Sequence, residues 1–341
     1  MLPNARLLAR TSLGWLLWPL AAKLIPRKIG GDQGLVLMFH HVGRPVLPGA
    51  EDYLFLSVAE LGEVLDFVRA ELCPLEPLDF LARLAAGTLP PKATMLTFDD
   101  GTVDQVSLAA PEFVKRGLKA GFFVCPGLIE RGDSVPSLDL ATLCQHAPAG
   151  RHAIILDAGP GEPTCPPLLI EISDQASRGQ AYAALLPLLR QPSRARARFL
   201  SAVRHGLGVA ADVRCDYRLA TWEELRALTA AGMYVGNHTL YHSTVAADGI
   251  AQFEADVAQA YRILDQQLPP TRRIFCYPYG RAEDATAATT LVLQSHGVSH
   301  AFVVQGGLAR PVRTGPWNLH REAVSYNIQA AKLAALLALF R

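Results

Sequence analysis

Short, almost uncharged apolar runs recur along the 341 residues, separated by stretches that read as amphipathic helix, and this alternation leaves few folds open. The runs are Leu35-Val-Leu-Met-Phe39, Thr94-Met-Leu-Thr-Phe98, Gly121-Phe-Phe-Val124, Met233-Tyr-Val235, Ile274-Phe-Cys276, Ala301-Phe-Val-Val304 and Glu322-Ala-Val324. Strands this apolar are buried on both faces, as in parallel sheets covered by helices. Seven of them alternating with helices indicate an α/β fold, either a parallel barrel or an open sheet. Two helix starts are well marked, because Ser57-Val-Ala-Glu60 and Thr221-Trp-Glu-Glu224 both fit the capping box. Gly87 and Gly232 fall where the helices that follow need a left-handed stop.

Between Asp133 and Tyr217 the alternation fades into a Pro/Gly-rich stretch and then an Ala/Leu/Arg-rich region, so 134–216 reads as a mixed or helical insertion in a main domain spanning 34–330. Its arginines 190, 194 and 198 are spaced i, i+4, with Arg196 and Arg204 nearby; a solvated helix face is expected, with a phosphate or lipid-headgroup site as the alternative. Residues 331–341 read as a C-terminal helix. Residues 1–33 carry Arg6, Arg10, Lys23, Arg27 and Lys28 around an apolar run that Pro19 and Lys23 interrupt well short of the ~20 residues of a membrane span. That segment reads as a packing or peripheral membrane-surface element, with export as the alternative.

With 50% hydrophobic and 18% charged residues the chain can bury a sizeable core, which excludes intrinsic disorder. A net charge of +1 provides no general field for polyanions, so nucleic acid is not an expected partner. The six cysteines contain no C-x-x-C pair, which suggests neither a zinc knuckle nor a disulfide framework and fits reduced thiols in the cytoplasm. The basic N-terminus would then set the chain at the inner face of the membrane.

Four stretches carry groups suited to chemistry, each at the end of an apolar run, where reactive side chains collect in α/β folds. Leu96-Thr-Phe-Asp-Asp-Gly101 puts two carboxylates before a glycine, which is also the composition of an ordinary turn. Val235-Gly-Asn-His-Thr-Leu-Tyr-His242 places two imidazoles four residues apart. With Asp100 they form a two-histidine, one-carboxylate set that leaves metal positions open for water and substrate. Phe275-Cys-Tyr-Pro-Tyr-Gly280 offers a stiff turn with two tyrosines, and Met38-Phe-His-His-Val42 offers an acid, a base or a hydrogen-bonded core histidine.

In this order the stretches resemble the polysaccharide deacetylase family, the carbohydrate esterases that share the NodB homology domain. Thr97-Phe-Asp-Asp-Gly101 matches the family's first motif, and His238-Thr-Leu-Tyr-His242 its H-[ST]-x-x-H metal motif. Leu35-Val-Leu-Met-Phe-His-His-Val42 is similar to the branch with an N-terminal L-M-Y-H-x-V strand. The resemblance implies a deformed (β/α) barrel of about seven parallel strands and a divalent metal, usually zinc, held by Asp100, His238 and His242. It implies Asp99 as the base for metal-bound water, which attacks an N-acetyl group of a polysaccharide or lipid-linked glycan. Tyr277, Pro278 and Tyr279 are read from the stretch itself as substrate-binding residues lining a cleft, with a merely rigid turn as the alternative. Where many members open the third motif with an arginine this chain has Cys276, so Arg321 is expected to orient Asp99, against the alternative of a surface arginine. No L-x-H motif follows, which leaves His40 as first candidate for the acid and His320 as second. Sugar deformylation, O-deacetylation and noncatalytic carbohydrate binding are the competing functions.

Overall fold

The computed structural model describes residues 29–156, 166–281 and 283–324, so most of the expected N-terminal segment and the whole expected C-terminal helix lie outside the described residues. Among the described residues, eight strands form one parallel sheet: β1 (Leu35–Phe39), β2 (Cys73–Pro74), β3 (Ala93–Phe98), β4 (Gly121–Val124), β5 (Tyr234–Asn237), β6 (Arg273–Cys276), β7 (Val298–Phe302) and β8 (Glu322–Ala323). Their order is β7-β6-β5-β4-β3-β1-β8, with β2 beside β3. The stretch entering β8 runs along β7, where Leu319 N donates to Ala301 O at 2.9 Å and Val303 N to Leu319 O at 3.0 Å. Because β8 then pairs with β1, this short segment is the seam of a deformed (β/α) barrel.

Each of the seven apolar runs is a barrel strand. Strand β7 begins at Val298, three residues before its apolar run, because Ser299 and His300 hide its start. Strand β2, two residues long and ending in proline, carried no alternation to read. Ser57 and Thr221 form the expected capping boxes, and Gly87 ends its helix at φ +67°.

Period-two alternation divides the strand residues between two cores. Leu35, Leu37, Phe39, Leu96, Phe98, Phe122, Phe275 and Ala301 pack outward with helix residues such as Leu61, Phe113, Val257 and Leu293. Val36, Met95, Phe123, Tyr234, Ile274, Cys276 and Phe302 fill the barrel, and the Phe123 and Phe302 rings meet across it at 6.0 Å. Phe80, Leu81 and Leu84 of the helix Pro77–Ala86 join that interior cluster.

Residues 134–216 are mixed in structure. The helix Pro136–His146, an antiparallel pair of Gly150–Ile154 with Leu168–Ile172, and the helices Gln175–Leu185 and Ser193–Gly206 share an apolar core that includes Cys144, Ile154, Tyr182, Phe199 and Val203. The expected single arginine face is corrected here: Pro192 precedes the helix, Arg190 lies outside it, and Arg196 points inward while Arg198 is exposed. No helix among the described residues is long and apolar enough to cross a membrane.

The loop after β1 docks on the insertion, with Leu47 in its core and Glu51 fully buried, accepting from Tyr182 Oη at 3.0 Å. Burial pushes the Glu51 carboxyl up to about 8 despite that bond. The folded protein therefore keeps a proton that the unfolded chain releases near ~4.3, and stability falls as pH climbs from there toward about 8. Glu51→Gln, which cannot ionise, is expected to flatten this decline, so that urea unfolding at pH 5 and pH 8 shows the variant gaining on wild type at the higher pH. Parallel pH dependences would mean that Glu51 ionises freely in the fold.

Candidate active site

The barrel's alternation carries past the strand ends and decides what meets in its mouth. Asp99 continues the inward set Met95 and Thr97, His238 continues Tyr234 and Gly236, and Arg321 shares the parity of inward Leu319. Asp100 has the opposite parity, yet its φ of +83° swings it to the histidines. Thr239, His242 and Tyr279 are also left-handed, at +66°, +55° and +58°, so four of the five such non-glycine residues among those described gather at one site. Backbone strain of this kind persists only where surrounding structure enforces it. Gly101 supports the turn, because at its φ of +77° a Cβ would sit 2.7 Å from Val124 Cγ1.

Arg321 grips Asp99 as a fork, with Nη1 to Oδ1 at 2.8 Å and Nη2 to Oδ2 at 2.7 Å, and Nη1 also reaches Thr97 Oγ1 at 3.2 Å. Both side chains are at most 2% exposed. Burial alone would raise the Asp99 pKa, but the guanidinium charge, His238 and the paired hydrogen bonds hold it below the usual carboxylate range. The Cys276 thiol stands 3.5 and 3.6 Å from the same two oxygens.

Asp100 Oδ1 lies 3.2 Å from His242 Nε2 and 3.6 Å from His238 Nε2. Tetrahedral zinc with ligands at 2.0–2.1 Å separates its donors by about 3.3 Å, so this set fits a metal ion. The chemistry of the donors agrees. His238 Nδ1 is 2.9 Å from Cys276 O; a carbonyl only accepts, so the proton is on Nδ1 and Nε2 keeps its lone pair. Burial lowers His238 to about 4, which makes the ring neutral at pH 7. Asp99, His238 and Cys276 make a second close group, but Arg321 already pairs with its carboxylate.

Among the other expected residues, His40 shares the inward parity of Val36 and is half-buried, with its pKa lowered by burial against the pull of Asp100 and Asp99. Tyr279 sets its ring against His242 at 4.8 Å, and its buried hydroxyl has no hydrogen-bond partner among the described residues. Tyr277 is a correction: it has the outward parity of Phe275, is fully buried against Phe253, and spends its hydroxyl on Thr289 at 3.3 Å. Pro278 is buried in the turn between the two tyrosines. His320 is half-buried, and its pKa is lowered first by that burial and then by Arg310 and Arg313.

Two neighbours are not among the expected site residues, although the His40-His41 pair marks one of them. His41, next to His40, places Nε2 3.5 Å from Asp100 Oδ2 and Nδ1 3.1 Å from Thr102 Oγ1. Gln105, on a π-helical turn, donates through Nε2 to His40 O at 2.8 Å and Asp99 O at 2.5 Å, tying two strand ends together. A cavity of about 880 Å³ lies beside the site, lined by Arg196, Arg204, Tyr241 and Asp256 among others, but by none of Asp99, Asp100, His238 and His242.

The sequence matches the polysaccharide deacetylase family profile over residues 86–301. The chain belongs to the polysaccharide deacetylase family. Among solved structures, the deacetylase PplD of Streptococcus pyogenes in complex with acetate is 16% identical, with 88% of this chain and 96% of that chain covered and a TM-score of 0.59. IcaB from Ammonifex degensii is 20% identical, with 91% and 99% covered and a TM-score of 0.56. A polysaccharide deacetylase from Bacillus cereus is 11% identical, with 89% and 69% covered and a TM-score of 0.54. These likenesses establish the shared deacetylase fold. No curated protein matches the sequence. The matched span stops short of both His40 and Arg321, so the guanidinium fork is found from the geometry of this polysaccharide deacetylase and not from its family profile.

Removing Arg321 leaves a buried carboxylate without its partner, a change that typically costs about 3–5 kcal/mol. Arg321→Leu is therefore expected to lower the urea midpoint sharply, and adding Asp99→Asn to recover part of the loss. A single-variant cost under about 1 kcal/mol would show that Asp99 is not held in a desolvated pair.

Proposed function

We propose that this polysaccharide deacetylase is a metal-dependent hydrolase that removes N-acetyl groups from amino sugars of a glycan. One observation carries the reading: an ionised carboxylate, Asp99, adjoins a carboxylate and two neutral-capable imidazoles whose donor atoms all lie within 4.8 Å of one another. Asp100, His238 and His242 would hold the metal, with zinc the ion that best suits a two-histidine, one-carboxylate set. When bound, the ion supplies Lewis acidity to an acyl oxygen and lowers the pKa of water.

The chain's own residues supply the rest. Asp99, kept ionised by Arg321, takes a proton from the attacking water on either carboxylate oxygen, and the fork holds both oxygens in place as it does so. His40 is the candidate that delivers a proton to the departing amine nitrogen. Burial lowers its pKa, against the pull of Asp100 and Asp99. The Tyr279 hydroxyl, buried beside His242 and without a protein partner among the described residues, is suited to a substrate oxygen. Asp99, Asp100, His238 and His242 expose at most 6% of their surface, so substrate approaches past the half-buried His40 and Tyr279. The solved PplD structure contains acetate, the product expected here.

The test compares metal content and acetate release from N-acetylglucosamine oligomers for wild type, Asp99→Asn and His238→Ala. Wild type is expected to hold about one metal ion and release acetate. His238→Ala should lose metal, and Asp99→Asn should keep metal while losing at least 100-fold in rate, roughly the contribution of a general base. Release of formate from N-formyl sugars, or of acetate from O-acetyl esters alone, would move the assignment to those reactions. Metal binding with no turnover of any acylated sugar would favour carbohydrate binding instead.

A further inference from the structure

The insertion reaches the metal-ligand loop through one side chain. Arg196, Phe199 and Val203 share a face of the helix Ser193–Gly206, and all three are buried, at 3%, 3% and 0% exposed. Phe199 and Val203 join the insertion's own core, whereas Arg196 extends to the barrel. Its Nη1 donates to His242 O at 3.0 Å and its Nη2 to Tyr241 O at 2.5 Å. Those two carbonyls belong to the peptides on either side of the His242 Cα. Holding both planes fixes the φ and ψ of His242, and thereby the direction in which its Cβ and imidazole leave the chain.

His242 needs such a hold more than its partner does. Its φ of +55° is a conformation that L side chains resist. Its Nδ1 has no hydrogen-bond partner among the described residues, so the ring is not oriented through its second nitrogen. His238 is oriented that way, through Nδ1 and Cys276 O. The two imidazoles are thus aimed by different means, one through its ring and one through its backbone.

We infer that Arg196 is a positioning residue that aims His242 by clamping the two peptides flanking it, and that the insertion sets the affinity of the metal site through this contact. The inference rests on the metal-centre reading above and extends it to a residue outside the barrel. A planar guanidinium presents a rigid fork to both carbonyls at once, whereas a lysine ammonium is a point charge on a flexible stem and holds the two planes less firmly. Arg178 is an internal control, because it bonds Cys144 O, Gln145 O and Ala147 O within the insertion and touches no site residue.

The full chain and its Arg196→Met, Arg196→Lys and Arg178→Met variants would be titrated with zinc against a chelating dye and with cobalt by visible absorption, with circular dichroism and apo-protein melting as checks of folding. Arg196→Met is expected to weaken metal binding on the order of 10- to 100-fold and to alter the cobalt spectrum, with Arg196→Lys intermediate. Arg178→Met should melt earlier yet bind as wild type does. If Arg196→Met does not fold, Arg196→Lys decides: a folded Lys variant with wild-type affinity and cobalt spectrum overturns the inference. So does a folded Arg196→Met that binds as tightly as wild type. A wild-type protein that takes up no metal overturns the metal-centre reading and this inference with it.

Discussion

A carboxylate and a guanidinium locked together where water hardly reaches are the constraint around which this barrel is arranged. Two buried charges are tolerable only when each is fully bonded, and the Arg321 fork meets that condition by matching both Asp99 oxygens. The requirement is also topological. Arg321 sits on the seam segment between β7 and β1, so the ring must close for Asp99 to be neutralised. The same contact that seals the sheet keeps the carboxylate ionised, and the thiol of Cys276 fits beside it because the charge has been met from the opposite strand.

Around that pair the backbone departs from regular structure in a concentrated way. Asp100, Thr239, His242 and Tyr279 all adopt left-handed conformations at strand ends. Close packing makes room for them: at Gly280, φ +50°, any Cβ would collide with the Val304 nitrogen. The barrel supplies a rigid rim, and the short irregular turns above it convert strand parity into convergence on a single point.

Much of this is legible in the sequence, since seven of the eight sheet strands read as apolar runs and Asp99, Asp100, His238 and His242 stand at their ends. What misled was direction. Tyr277 and Tyr279 look equivalent in Tyr-Pro-Tyr-Gly, yet Tyr277 keeps the outward parity of Phe275 while Tyr279 is turned by a positive φ. Counting alternation through the strand would have separated them; the left-handed turn could not have been counted. His41 was passed over for His40 because adjacent histidines give no cue to which one faces a carboxylate. Arg196 lay hidden in an arginine-rich stretch whose simplest reading was a solvated face, and only its register with Phe199 and Val203 marks it as inward.

The seam has a consequence for the order in which the protein comes into being. Asp99 and Arg321 are 222 positions apart in the chain, and the residues that close the ring are among the last of the barrel to be made. During synthesis the aspartate waits, with no guanidinium to neutralise it and a sheet whose edges are still open, until the seam is threaded between β1 and β7. Pairing of Asp99 and closure of the ring therefore depend on the same late-made segment, and a ribosome-bound chain that stops before residue 321 holds Asp100, His238 and His242 but leaves Asp99 without its guanidinium.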